Sequence, residues 1–263
     1  MSKLIDRLEK VGTAASNPMG FGANRTVEKA PPLLLIALSG MEPPKSLSQI
    51  QADSLIIATP QVEKEGLEAA KVMAEDTIWG VWPETLTSDS PDVLKEEGGD
   101  FFICSPGNTP DEVLAGEELG RILAIPVDFP EELGRSLEGL PVDALLLTGL
   151  EEASPLSLGD LLQICSMRDL TSKPMLLLRS HGLNQGELAV LQDAGIQAVV
   201  LDLRAVKGKE ATQMQEAISG LPPRKTKRDS ASPVLPRPSS RALSPGRRDD
   251  DDDDNNDDDE DDF

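Results

Sequence analysis

Eight apolar runs recur along the chain, beginning near Leu33 (LLLIALSG), Ser54 (SLIIAT), Thr77 (TIWGVWPE), Asp100 (DFFICS), Arg121 (RILAIPVD), Ala144 (ALLLTG), Pro174 (PMLLLR) and Ala198 (AVVLD). Their starts lie 21, 23, 23, 21, 23, 30 and 24 residues apart, room in each period for one strand, one helix and two short loops. The runs are apolar throughout rather than alternating, which suits parallel strands covered on both faces. Pro174 to Arg204 shows the unit most clearly. One run ends at Arg179, a helix opens at Asn184 with Glu187 three residues on, and the chain turns at Ala194-Gly195 into a second run ending in Asp202.

Punctuation between the runs predicts the helices. Thr59-Pro60, Ser90-Pro91, Thr109-Pro110 and Phe129-Pro130 put proline where a first helical turn loses nothing by its missing N–H. Thr109 with Glu112 reads as a capping box, and Ser157 with Asp160 follows the same pattern. Gly98, Gly120, Gly195 and Gly220 stand where helices should stop. Val62, Ala69, Ala70 and Met73 form an apolar stripe, with Lys64/Glu68 and Lys71/Glu75 on the exposed side. The first crossover, Met41–Ala52, has room only for a short helix around Leu47–Gln51. Ahead of all this, Leu4, Leu8 and Val11 at helical spacing predict an amphipathic helix over Ser2–Val11. A turn-rich loop, Ala14–Asn24, follows; it reads as a cap over one end of a sheet, with a ligand-contacting loop at Pro18–Gly22 as the competing role.

Eight parallel strands alternating with helices either close into a barrel or stay open. An open dinucleotide-binding sheet carries a G-x-G-x-x-G turn after its first strand, and here that position reads Ser39-Gly40-Met41-Glu42-Pro43-Pro44. The expectation is an α/β fold, a (β/α)8 barrel over residues 30–220. Residues 1–29 form its N-terminal cap helix and loop, and 221–263 a disordered charged tail.

Composition changes the picture mainly at the C-terminus. The net charge of −22 is uneven. Residues 249–263 hold 12 acidic and no basic side chains, and 221–248, rich in Pro and Ser, hold eight Lys/Arg against one Asp. Neither segment has the apolar content to offset its ordering entropy. The body that remains carries −17, which repels phosphate backbones and argues against nucleic-acid binding by the barrel. The acidic run is a candidate contact for basic partners. No apolar run approaches the ~20 residues of a membrane span, and Met1–Val11 lacks the apolar core of a secretory signal. Cys104 and Cys165, both in apolar surroundings, read as reduced core residues. A soluble cytoplasmic protein is the expectation.

Candidate chemistry lies at the strand ends. Ser39, Thr59, Glu84, Ser105, Asp128, Thr148, Arg179 and Asp202 each follow by two a residue of one face: Ala37, Ile57, Trp82, Ile103, Pro126, Leu146, Leu177 and Val200. At a period of two all eight would point into the barrel mouth. Glu84 and Asp128 are the acid/base candidates. Arg179 is the candidate anion anchor, because its fork of donors matches a carboxylate or phosphate, and Asp202 is its expected partner. His181 and Arg204 stand in the next loops. Plainer roles compete at several of these positions: Thr59 and Asp128 as helix caps, Arg179–Asp202 as a structural ion pair, His181 as a loop residue.

Residues 30–220 resemble the TIM-barrel superfamily, and the segment DAGIQAVVLD, Asp193–Asp202, is similar to the last βα unit of the ribulose-phosphate-binding, flavin-binding and nitronate-monooxygenase-like barrels. The resemblance implies a ligand site at the C-terminal ends of the strands and a lyase, isomerase or flavin-dependent oxidoreductase acting on a small anionic metabolite. The chain departs from those families where they hold phosphate on glycine-rich backbone after strands seven and eight. Here the loops read Ser180-His181-Gly182-Leu183-Asn184 and Leu203-Arg204-Ala205-Val206-Lys207-Gly208-Lys209, and Asp202 would repel the anion unless Arg204, Lys207 and Lys209 compensate. No strand end carries the lysine of a Schiff-base aldolase, a single histidine excludes a two-histidine metal site, and no flavin or nicotinamide fingerprint is present. The sequence assigns no cofactor and no metal ligand, leaving only Mg²⁺ on Glu84, Asp128 and Asp202 as an oxygen-rich option. The alternative is a non-catalytic barrel that binds or interacts through its charged tail.

Overall fold

The computed structural model describes residues 2–12 and 31–222. The loop Ala14–Asn24 and the charged tail expected from the sequence lie outside the described residues. Eight parallel strands close in sequence order into a barrel: β1 (Leu34–Ser39), β2 (Ser54–Thr59), β3 (Ile78–Pro83), β4 (Phe101–Cys104), β5 (Gly120–Pro126), β6 (Ala144–Thr148), β7 (Met175–Arg179) and β8 (Ile196–Asp202), with β8 pairing back onto β1. Among the described residues the helices are α1 (Lys3–Lys10), α2 (Lys64–Ala74), α3 (Ser90–Glu96), α4 (Glu131–Gly134), α5 (Leu158–Leu170), α6 (Gln185–Asp193) and α7 (Gly208–Ser219). None is long and apolar enough to cross a membrane.

Two apolar layers follow from the two faces of the strands. Leu34, Ile36, Leu38, Ile56, Phe101, Ile103, Ile122, Leu146, Leu176, Leu178 and Val200 fill the barrel interior. Leu35, Ala37, Leu55, Ile57, Trp79, Leu147, Leu177 and Leu201 face the helices. Gly80 shows how tightly the interior is filled. A Cβ there would come 2.2 Å from the Phe101 carbonyl oxygen and 2.6 Å from its ring, so the large side chain on β4 requires the absent one on β3.

Helix α1 closes the N-terminal end. Leu4, Leu8 and Val11 join the interior cluster. Asp100, just ahead of β4, accepts from the Ser2 hydroxyl (2.6 Å) and from the N–H groups of Lys3 (2.8 Å) and Leu4 (2.9 Å). A carboxylate on a helix N-terminus satisfies donors that the helix leaves unpaired. A related device recurs around this end: Asp53 accepts from Leu35 N–H, Asp143 from Arg121 N–H, and the Gln197 side chain from Met175 N–H. Arg121 also forks onto Asp143 with Nε and Nη2, both at 3.0 Å. At Asp53 the balance differs, because burial pushes its carboxyl upward against the Leu35 N–H and nearby Arg7.

The helical layer is thinner than the proline signals imply. Both capping boxes on the longer crossovers form, Ser157/Asp160 on α5 and Asn184/Glu187 on α6. Thr109 caps nothing: its hydroxyl accepts from Ser105 N–H, and a 3₁₀ turn over Asp111–Ala115 replaces the helix. Helix α2 begins at Lys64 rather than Pro60 and buries Leu67, Ala70 and Ala74, while Lys64 pairs with Glu96 on α3 instead of Glu68. Gly120 opens β5 instead of ending a helix, pressed against Ser2. The first crossover holds only the 3₁₀ turn Leu47–Gln49. Cys104 is buried as expected, which pushes its thiol up to about 11, but Cys165 is exposed on α5. A cysteine at helical spacing from apolar neighbours does not reveal which side of the helix it takes.

Candidate functional site

Layer membership decides which strand ends can face the mouth. Trp82, Ile103, Leu146 and Val200 pack with the interior, which carries Glu84, Ser105, Thr148 and Asp202 to the inward face two residues later. Ala37, Ile57 and Leu177 belong instead to the layer under the helices. Ser39, Thr59 and Arg179 therefore point outward, a correction to the inference that all eight converge. Ser39 is buried and its hydroxyl donates to Gly40 O at 3.0 Å. Thr59 donates to Gln61 O at 2.8 Å. Trp79 and Trp82 divide between the layers, Trp79 under the helices and Trp82 half-buried against the interior.

Arg179 is the largest correction. Its side chain is fully buried and donates from Nη1 to Leu150 O and from Nη2 to Ala153 O, while Nε has no protein partner. Burial lowers its pKa, opposed by the charges of Glu187, Asp160, Glu151 and Glu152 around it. It holds the loop between β6 and α5 against the end of β7, and no solvent-borne anion reaches it in this conformation. Asp202 is not its partner.

Asp202 instead holds Arg204. The carboxylate receives Arg204 Nε at 2.9 Å and Nη2 at 2.7 Å, and also the Arg204 N–H at 3.0 Å. This hydrogen bonding raises the guanidinium pKa. The Asp202 side chain is 14% exposed and that of Arg204 52%, so the carboxylate is the buried anchor and the guanidinium the presented group. Opposite them, on the end of β1, stands Gly40, where a Cβ would lie 3.8 Å from Arg204 Cδ.

The remaining candidates scatter around the rim. Glu84 is exposed, its N–H donating to Thr59 O and its carbonyl accepting from the Asn108 side chain. Ser105 and Thr148 are half-buried. Asp128 sits in the turn that Phe129 N–H closes onto Pro126 O, exposed, and lines a groove of about 470 Å³ on the α5 side with Phe129, Leu162 and Met167. His181 has Nδ1 3.7 Å from Glu152 Oε2. Among the described residues no three His, Cys, Asp or Glu side chains gather in a way that could hold a metal ion, so Glu84, Asp128 and Asp202 do not form the oxygen-rich site considered above. Gly40 is a mouth residue to which sequence reasoning gave no role. The signal for Gly40 was its place two residues after Leu38, on the inward face of β1.

No family model and no curated protein matches the sequence. Solved structures match its fold. Thiamine phosphate pyrophosphorylase from Pyrococcus furiosus aligns over 71% of this chain and 96% of its own at 12% identity, with a TM-score of 0.53. The tryptophan synthase α-subunit of the same organism aligns over the same shares at 10% identity, with a TM-score of 0.56. This chain is a TIM barrel. At such identities the likeness establishes the barrel alone, and the functional reading rests on the mouth described above.

Proposed function

We propose that this TIM barrel binds a small anionic ligand at the C-terminal rim between β8 and β1, with Arg204 as the anchor. One observation carries the reading: a half-exposed arginine fixed by a mostly buried carboxylate two residues earlier, beside a glycine. Asp202 occupies Nε and one terminal nitrogen, which orients the guanidinium plane and leaves Nη1 outside that pair. A guanidinium already held in one orientation loses less freedom on meeting an oxyanion than a loose lysine would. The Ser105 and Thr148 hydroxyls are supporting donors on the inward face, and Glu84 is the acid/base candidate on that face.

Thermal shift with inorganic phosphate, pyrophosphate and malonate tests this. At a hundredfold excess over Kd a single site adds about 2.7 kcal/mol, a shift of several degrees. We expect it in the parent and in Arg179→Met, and its loss in Arg204→Met. An absent shift in the parent, or an equal one in Arg204→Met, overturns the assignment.

A further inference from the structure

Two of the seven crossovers carry no α-helix. Between β4 and β5 the 3₁₀ turn Asp111–Ala115 stands in its place, and between β1 and β2 Gly40–Asp53 contributes only the three-residue 3₁₀ turn Leu47–Gln49, the least helical of the seven. In the missing helix's place a groove of about 840 Å³ runs from Pro43, after β1, to Thr77, ahead of β3. Leu55 of β2, Leu47 and Ile50 of the crossover, and Val72 and Met73 of α2 line it. Val72 is 78% exposed, the most open of the large apolar side chains among the described residues. Val72 thus adjoins the apolar part of the lining supplied by Leu47, Ile50 and Met73, and an exposed apolar side chain that continues an apolar groove, unlike one standing alone, is a candidate for burial by a partner.

We propose that this groove is the docking site for a basic amphipathic helix of a partner protein. The helical form follows from the gap, since the neighbouring α2 is an 11-residue helix and a helix of similar length would complete the outer layer. The charge follows from the rim. Glu75 and Lys45 both line the groove and balance each other, so the acidic excess comes from the exposed side of α2 and the turn after it, where Glu65, Glu68 and Asp76 stand against Lys71, Lys64 being already engaged with Glu96. The whole chain carries −22, so a second copy is repelled on approach while a cationic partner is drawn in. The partner helix would present leucine-like side chains at i, i+3, i+4 and i+7 to Leu55, Val72 and Met73, and Lys or Arg toward Glu75 and Asp76.

A labelled synthetic helix with leucine on one face and lysine on the other, titrated into the full-length protein, tests the proposal. Two control peptides accompany it: one keeps the leucine face with glutamate for lysine, and one keeps the lysines with serine for leucine. We expect the first peptide alone to bind at near-physiological salt. Its affinity should fall at least tenfold in Val72→Glu, a substitution at an exposed site that leaves folding intact, and severalfold in Glu75→Lys. It should be unchanged in the doubly substituted Leu158→Glu/Leu162→Glu, whose exposed leucines lie on α5. Equal binding of the serine peptide, or equal binding to Val72→Glu, overturns the proposal. So does loss of binding in the α5 variant alone. Concentration-dependent self-association of the parent that Val72→Glu abolishes would make a second copy the occupant and overturn it equally.

Discussion

At the N-terminal end of the barrel, Leu4, Leu8 and Val11 of α1 share the interior with Phe101 and Ile122, and Asp100 gathers three donors from the helix start. At the C-terminal end the strands stop in Glu84, Ser105, Thr148 and Asp202, and the arginine they present is held by one of them. Carboxylates serve both ends, but differently. Asp100 and Asp143 accept backbone N–H groups and fix the chain; Asp202 accepts a side chain and aims it. The first kind of contact holds the fold together, and the second leaves a charged group turned toward solvent.

Substitutions should separate the ends sharply. Leu8→Ala empties a fully buried position under the barrel and should cost about 2–5 kcal/mol in denaturant unfolding, whereas Glu84→Ala at the rim should stay within about 0.5 kcal/mol. Comparable losses at both would mean that the mouth is as structural as the plug. Arg179→Met is intermediate. It strands Leu150 O and Ala153 O, for which about 1–3 kcal/mol is expected, and faster hydrogen exchange should appear in residues 149–157 and not in 203–207. The smallest effect is electrostatic. The hydroxyls of Ser172 and Thr171 and the Ser172 N–H hold the Glu138 carboxyl down to about 2. A depressed carboxylate stabilises the fold above its unfolded pKa of about 4.3, and that stability is lost as pH falls toward 2. Melting temperatures of the parent and Glu138→Gln should therefore converge between pH 4.5 and 2; parallel curves across that window would remove Glu138 from the bracing of this end.

The barrel was legible because its signals repeat: eight runs at near-constant spacing, and capping boxes at Ser157 and Asn184 that form as written. Half of the mouth was not, and the reason is physical. In β1 and β7 the residues before the polar end are apolar on both faces, so a period of two leaves no trace in LLLIALS or MLLLR. Either parity satisfied the sequence, and Arg179 went to the other one. In β8 the residue after Leu201 is Asp202, paired with an arginine two positions on, and there the parity inferred from Val200 agrees with the structure. The acids at the closed end carried a signal that went unused: Asp53, Asp100 and Asp143 each stand immediately before an apolar strand.

The placement of the two described chain ends has a practical side. Ser2 rests on Asp100 beneath β4, and Pro222 shares the Gln192 side chain with Pro32, which leads into β1. Both ends thus leave from the plugged side. A label carried at Ser2 or at Pro222 therefore reports on the plugged side, across the barrel from Arg204, and leaves the rim clear.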